Sequence, residues 1–162
     1  MQTGKAEVKQ SLVIRKDDLT GPEVHALLEA HLATMRSLSP PESIHALDLD
    51  GLRVPEVTFW TVWQDDALAG CGALKQLSAS DGEIKSMHTA AAHRGKGIAE
   101  AMLLHILEEA RRQRLRRLSL ETGSQPGFEP ARRLYAKHGF AFCGPFADYE
   151  EDPNSVFMTL TL

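Results

Sequence analysis

The stretch Ala90-Ala91-Ala92-His93-Arg94-Gly95-Lys96-Gly97-Ile98-Ala99 decides how this chain is read. Directly after it, Ile98, Met102, Ile106 and Ala110 recur at helical spacing, with Leu103 and Leu107 beside them. That pattern predicts a long amphipathic helix over Gly97 to Arg112. Directly before it, Glu83 to Thr89 reads as a strand. Gly95 and Gly97 therefore occupy a strand-to-helix turn, where the missing Cβ lets the backbone approach a ligand closely. The N–H groups of the first helical turn are unpaired and point at that ligand along the positive end of the helix dipole. Such a turn binds phosphates, and Arg94 and Lys96 add charge beside it. Glycines and basic residues also occur in ordinary connections. The full Arg-x-x-Gly-x-Ala pattern running straight into a helix is what favours a phosphate site.

Working outward, Leu115 to Glu121 reads as a strand after the helix, so strand, helix and strand form one crossover unit. Pro130 to His138 predicts a second helix, closed by Gly139. Phe140 to Cys143 and Val156 to Leu162 finish as strands. Upstream, Val57 to Trp63 is rich in β-branched and aromatic residues and reads as a strand. Gln64-Asp65-Asp66 supplies a turn, and Ala67 to Leu77 the next strand. Asp81-Gly82 is a hairpin turn signal, which makes Glu83 to Thr89 an antiparallel partner. Ser11 to Arg15 predicts the first strand. Thr20 or Gly21 ahead of Pro22 starts a helix, whose apolar face carries Val24, Leu27, Leu28, His31, Leu32 and Met35. Ser39-Pro40-Pro41-Glu42-Ser43 breaks that helix, and Ile44 to Leu52 is a short helix or a loop. The sum is an α/β (α+β) chain. Its sheet is mixed, antiparallel early and crossed over later, with helices packed on it.

The 162 residues suit one compact domain spanning 1–162. A hydrophobic share of 43% and a charged share of 25% are those of an ordinary soluble protein. The net charge of -4 gives no reason to expect nucleic-acid binding. The apolar runs are too short to span a bilayer, and Met1 to Gln10 is polar and mixed in charge, unlike a signal peptide. A cytoplasmic protein is the expectation. Cys71 and Cys143 lie far apart without metal-ligand spacing, so two buried free thiols and no metal are expected.

Two other phosphate-binding patterns fail. A P-loop needs Ser or Thr after its Gly-Lys, and Lys96 is followed by Gly97. A dinucleotide fingerprint finds Gly95-Lys96-Gly97 and Glu121, but Glu100 stands where a third, small residue is wanted. Ala90 to Arg94 also separate the glycines from the strand, and only one crossover follows.

Arg94-Gly95-Lys96-Gly97-Ile98-Ala99 resembles the acyl-CoA pyrophosphate loop of the GNAT N-acetyltransferases, and Glu83 to Thr89 resembles the strand before it. Ala131-Arg132-Arg133-Leu134-Tyr135-Ala136-Lys137-His138-Gly139-Phe140 resembles the family's second landmark, Ala-x-x-Leu-Tyr-x-x-x-Gly-Phe. One departure is Phe128, three residues before Ala131, where the family often has Asn. One polar contact to the CoA arm is in question there. The closing segment, Phe146-Ala147-Asp148-Tyr149 with Asp152 to Met158, looks like an uncharacterised bacterial subgroup, some of them described as auxin-type acetyltransferases.

The resemblance implies a splayed sheet of about six to seven strands with helices on both faces, and acyl-CoA lying between the fourth and fifth strands. It implies acetyl-CoA as co-substrate, held by Met87, His88 and Thr89 on the strand, by Arg94, Gly95, Lys96, Gly97, Ile98 and Ala99 on the loop, and by Tyr135. The acceptor is then a small-molecule primary amine, attacking directly in a ternary complex. A homodimer is compatible with all of this.

Acyl transfer needs a neutral amine, stabilisation at the carbonyl oxygen and a proton for the thiolate. A backbone N–H near Met87 could polarise the carbonyl. Tyr135 is placed by the resemblance as general acid, and a phenol can protonate a thiolate. Its alternative is a core aromatic. Glu83 matches a strand position where some members carry a catalytic carboxylate; its alternative is a solvated residue beside the turn. His88 could line the opposite face or point to solvent, and Glu121 either receives the acceptor amine or closes its strand. Ser39, Ser43 and His45 could bind a carboxylate, though a polar loop explains them equally well, and Glu150-Glu151-Asp152 could attract a cationic acceptor, though such a run is more often a solvated loop. A non-catalytic acyl-CoA-binding module is the competing class, sharing the turn and lacking the acid.

Overall fold

The computed structural model describes residues 11–45 and 47–162. The reading of Met1 to Gln10 lies outside these, as does Ala46 within the segment Ile44 to Leu52.

The strands are β1 (Leu12–Lys16), β2 (Val57–Gln64), β3 (Ala67–Gln76), β4 (Asp81–Thr89), β5 (Arg117–Gly123), β6 (Ala141–Cys143) and β7 (Ser155–Thr161). The helices are α1 (Pro22–Leu38), the single turn α2 (Leu49–Leu52), α3 (Ile98–Arg112) and α4 (Glu129–Lys137). The strands form one mixed sheet in the order β1-β2-β3-β4-β5-β7-β6. β1 to β4 are an antiparallel meander. β4 and β5 run parallel across the α3 crossover, and β7 returns antiparallel to β5.

Alternation along the strands sends apolar side chains to both faces. One face is closed by α3 and α4. There Trp60, Leu74, Ile84, Leu118 and Leu120 pack with Met102, Leu103, Ile106 and Tyr135. The helical face predicted for α3 is the one buried, with Ile98, Met102, Leu103, Ile106, Leu107 and Ala110 all inside. The other face is closed by α1, whose Val24, Leu27 and Leu28 pack with Phe59, Cys71 and Ala73.

Two features open the sheet in its middle. Pairing of β4 with β5 covers Asp81↔Arg117 to Ile84↔Leu120 and stops, although β4 continues to Thr89 and β5 to Gly123. In the same place β4 bulges away from β3: Cys71 faces His88 and Ala73 faces Lys85, so Ser86 and Met87 together oppose Gly72. Ser86 takes a left-handed φ of 57° there, as bulges that redirect a strand beside a site often require. The two strands splay, and a cleft forms through the sheet.

Two expectations are corrected. Asp81-Gly82 is not a hairpin turn; both residues lie inside β4, and the connection is Leu77–Ser80, closed by Leu77 N–H donating to Asp81 O at 2.8 Å. Gly82 is in the strand because of close packing: a Cβ would stand 2.8 Å from Leu115 Cδ1 and 3.0 Å from Leu74 Cδ1. The cysteines differ from each other. Cys71 is buried and donates to Ser86 O, whereas Cys143 is exposed on β6, a three-residue edge strand with no covered face.

Candidate active site

The turn Ala90–Gly97 leaves β4 through a short helical turn at Ala91–His93 and enters α3. Gly95 and Gly97 have φ of 77° and 79°, and nothing lies within 4 Å of where a Cβ would be at either. The left-handed backbone selects glycine, and the ground in front of α3 is open. Gly97 caps α3 without a side chain, so the first-turn amides remain available to an anion. Glu100, which stood against the dinucleotide reading, turns toward α4, where Lys137 Nζ and His138 Nε2 approach its Oε2 at 2.8 and 2.7 Å. Gln64 at the end of β2 steadies the turn: its Oε1 accepts from His93 Nδ1 at 2.9 Å and from Lys96 Nζ at 3.3 Å.

The cleft holds about 670 Å³, enough to take a ligand of coenzyme size in part. Met87, His88, Thr89, Arg94 and Ala99 line it from β4 and the turn, and Tyr135 from α4. Tyr135 is 6% exposed, rests edge-on against Phe140 with centroids 5.7 Å apart, and its hydroxyl has no hydrogen-bond partner among the described residues. Burial pushes that hydroxyl above the ordinary phenol range, so it keeps its proton at neutral pH. His88 faces the cleft, not solvent. Its Nδ1 stands 3.3 Å from His31 Nδ1 on α1. Burial first, then the facing His88 for His31 and Arg94 for His88, lowers both pKa values, that of His31 to about 4. The pair is neutral near pH 7.

On the α1 face the cleft ends in a polar cluster. Glu83 is 3% exposed, which overturns its reading as a solvated turn residue. Lys85 Nζ donates to Glu83 Oε2 at 3.1 Å and to the Tyr149 hydroxyl at 2.9 Å, and that hydroxyl donates to Glu83 Oε2. Burial, with the Glu83 charge second, holds the Tyr149 phenol well above its usual range. Glu121 lies just past the last β4–β5 pair, and burial raises its carboxyl pKa. His45 meets Tyr149 edge-on at 5.1 Å.

The loop residues have their own partners. Ser43 Oγ donates to Asp152 Oδ2 at 2.6 Å, so the carboxylate it binds belongs to the chain itself. Ser39 Oγ reaches Gln125 Oε1 at 3.4 Å. Phe128 caps α4 and lies over Gly123, where a Cβ would fall 2.1 Å from Phe128 Cδ2. It packs the junction of β5 and α4 in place of a polar side chain. Among the described residues no group of three or more His, Cys, Asp or Glu could hold a metal ion, and no helix is long and apolar enough to cross a membrane.

Reading the sequence did not single out Lys85, Tyr149 or the His31–His88 contact. Lys85 follows Glu83 at strand period on the same face, a signal that was present. Tyr149 comes from the β6–β7 loop, 66 positions from Glu83, and no local pattern announces it.

Residues 24–140 match the family described as Acetyltransferase (GNAT) family. The chain is 60% identical over 149 residues to the Bacillus subtilis (strain 168) protein called uncharacterized N-acetyltransferase YsnE, covering 92% of this chain and 99% of that one. It is 55% identical over 149 residues to the Escherichia coli (strain K12) protein called uncharacterized N-acetyltransferase YedL, covering 92% and 94%. The fold is shared with the crystal structure of a GNAT family acetyltransferase from Elizabethkingia anophelis with acetyl-CoA bound, at a TM-score of 0.69 and 17% identity over 93% of this chain and 98% of that one. The split sheet, the glycine turn before α3 and the family match agree: the chain belongs to the GNAT acetyltransferase family.

Proposed function

We propose that this N-acetyltransferase moves an acetyl group from acetyl-CoA to the primary amine of a small molecule, by direct attack in a ternary complex. The observation that carries this reading is the cleft itself. It joins the glycine turn and Tyr135 on the α3–α4 face to the Glu83 cluster on the α1 face. Donor and acceptor thus meet from opposite sides of one sheet.

The amides of Ile98 and Ala99, with Arg94 beside them, take the pyrophosphate of the donor. The backbone of β4 near Met87, beyond the last β5 pair, supplies a donor for the carbonyl oxygen. The acceptor's ammonium passes a proton to Tyr149 as Tyr149 passes its own to Glu83, and Lys85 holds both in place. The freed amine attacks and forms the C–N bond, the C–S bond breaks, and the departing thiolate takes the Tyr135 proton. The second proton shed by the nitrogen returns through water to Tyr135, while the first leaves Glu83 for solvent.

Thiol release measured with a panel of amines tests the reading, and initial rates at varied concentrations of both substrates test the order. Intersecting lines are expected; parallel lines would signal a covalent acetyl-enzyme. Acetyl-CoA binding with no thiol release for any amine would instead make the chain a binding module.

A further inference from the structure

Every group that can carry positive charge at the acceptor end of the cleft already has a use. Lys85 is 8% exposed and gives its hydrogen bonds to Glu83 and Tyr149. His31, buried on α1, and the partly buried His88 on β4 face each other. Arg94 stands at the glycine turn, on the donor side. His45 is edge-on to Tyr149. The negative groups do not balance in the same way. Lys85 and Tyr149 each donate to Glu83, whereas Glu121, partly buried, lines the cleft with no ion pair among the described residues. The loop that brings Tyr149 also carries Glu150 and Glu151, both exposed, which add negative charge next to it in the chain.

Resting on the acyl-transfer reading above, we infer that the acceptor is an amine with no carboxylate beside its amino group, and that Glu121 is the specificity residue that receives its ammonium. An ammonium entering here gives Glu121 an ion pair, which it does not make among the described residues. An amino acid brings the same ammonium together with an anion that would be buried against the carboxylates of Glu83 and Glu121. Unpaired burial of a charge is strongly unfavourable, so the site discriminates by repulsion as much as by attraction.

Two matched pairs test this: phenethylamine against phenylalanine, and tryptamine against tryptophan. In each pair kcat/KM is expected to favour the amine by at least about 100-fold. Phenylalanine methyl ester, with the bulk but not the charge, should behave like the amine. In Glu121→Gln, an isosteric change, KM for the amine should rise by about tenfold or more with acetyl-CoA affinity unchanged, and the amine-to-amino-acid ratio should shrink. Amino acids used as well as their amines, an unchanged ratio in E121Q, or acetylation of indole-3-acetate, which has a carboxylate and no amine, would each overturn the inference while leaving acyl transfer intact. Acetyl-CoA binding with no amine consumed would overturn the transfer reading and this inference with it.

Discussion

The two ends of the cleft are built in different ways. The α3–α4 end comes from two compact segments, the turn 90–99 and the helix carrying Tyr135. It presents backbone amides, an aliphatic wall and one isolated hydroxyl. The α1 end is assembled from β4, β5, the loop after α1 and the loop after β6, and it presents a carboxylate, an ammonium and a second phenol in mutual contact, with the Glu121 carboxylate nearby in the same cleft. A pyrophosphate can be recognised by glycine and a helix end alone, so that end needs only local order. An acceptor is recognised by side chains whose charges must balance, so the other end needs long-range order.

The sharpest way to break this contrast is Tyr135→Phe. If the donor end supplies the proton, kcat should fall by about 10²–10⁴, with melting temperature and acetyl-CoA affinity nearly unchanged. The ring keeps its contact with Phe140, and no hydrogen bond of the hydroxyl is lost among the described residues. Near-normal turnover would move the acid across the cleft, to Tyr149.

Lys85→Met asks the same of the acceptor end. It leaves Glu83 buried beside a single hydrogen-bond donor, Tyr149. A loss of about 3 kcal/mol in urea unfolding is expected, the lower part of the range for a broken buried pair. Acetyl-CoA affinity in the folded fraction should stay as it is. A parallel loss of affinity would show that the two ends are not independent.

His31 lies where α1 covers the middle of the cleft, and its pKa of about 4 sets a pH dependence. Above pH 6.5 the ring is neutral in both folded and unfolded chains, and it contributes nothing. Between 6.5 and 4 the unfolded chain binds a proton that the native chain refuses, so stability falls as pH falls. The loss from this residue is about 2 kcal/mol by pH 5 and about 3 by pH 4. Urea unfolding of wild type and His31→Gln at pH 7 and pH 5 isolates that share. Equal slopes would mean that the ring is reached by water.

Gly97→Val has the smallest expected effect. The position has room but a left-handed φ, and a β-branched residue there costs about 1–3 kcal/mol in strain. Acetyl-CoA affinity should fall by about 5- to 150-fold, read by calorimetry, while the Glu83 cluster is untouched. Unchanged affinity would remove the turn from the donor site.

The legibility of the molecule follows the same division. The α3 face was readable because Ile98, Met102, Ile106 and Ala110 repeat at helical spacing and were buried as expected. The Asp81-Gly82 reading failed because a glycine within a strand can answer to packing, here beneath Leu115 and Leu74, rather than to a turn. The burial of Cys143 failed because the three residues of β6 form a sheet edge with no layer over them. Glu83 was recognised only by its place before the motif. Its burial and its partners depend on Tyr149 arriving from a distant loop.

By itself the sequence determined the order of the elements, the amphipathic faces and the glycine turn before α3, since each depends on residues within a few positions of one another and on steric rules that hold in any context. Only the tertiary structure decided where the sheet splits, that Glu83 and Lys85 neutralise each other beneath Tyr149, and that Glu121 is the carboxylate left over. Those are balances of burial and charge among groups separated by tens of residues, and they come into being only when the chain has closed around them.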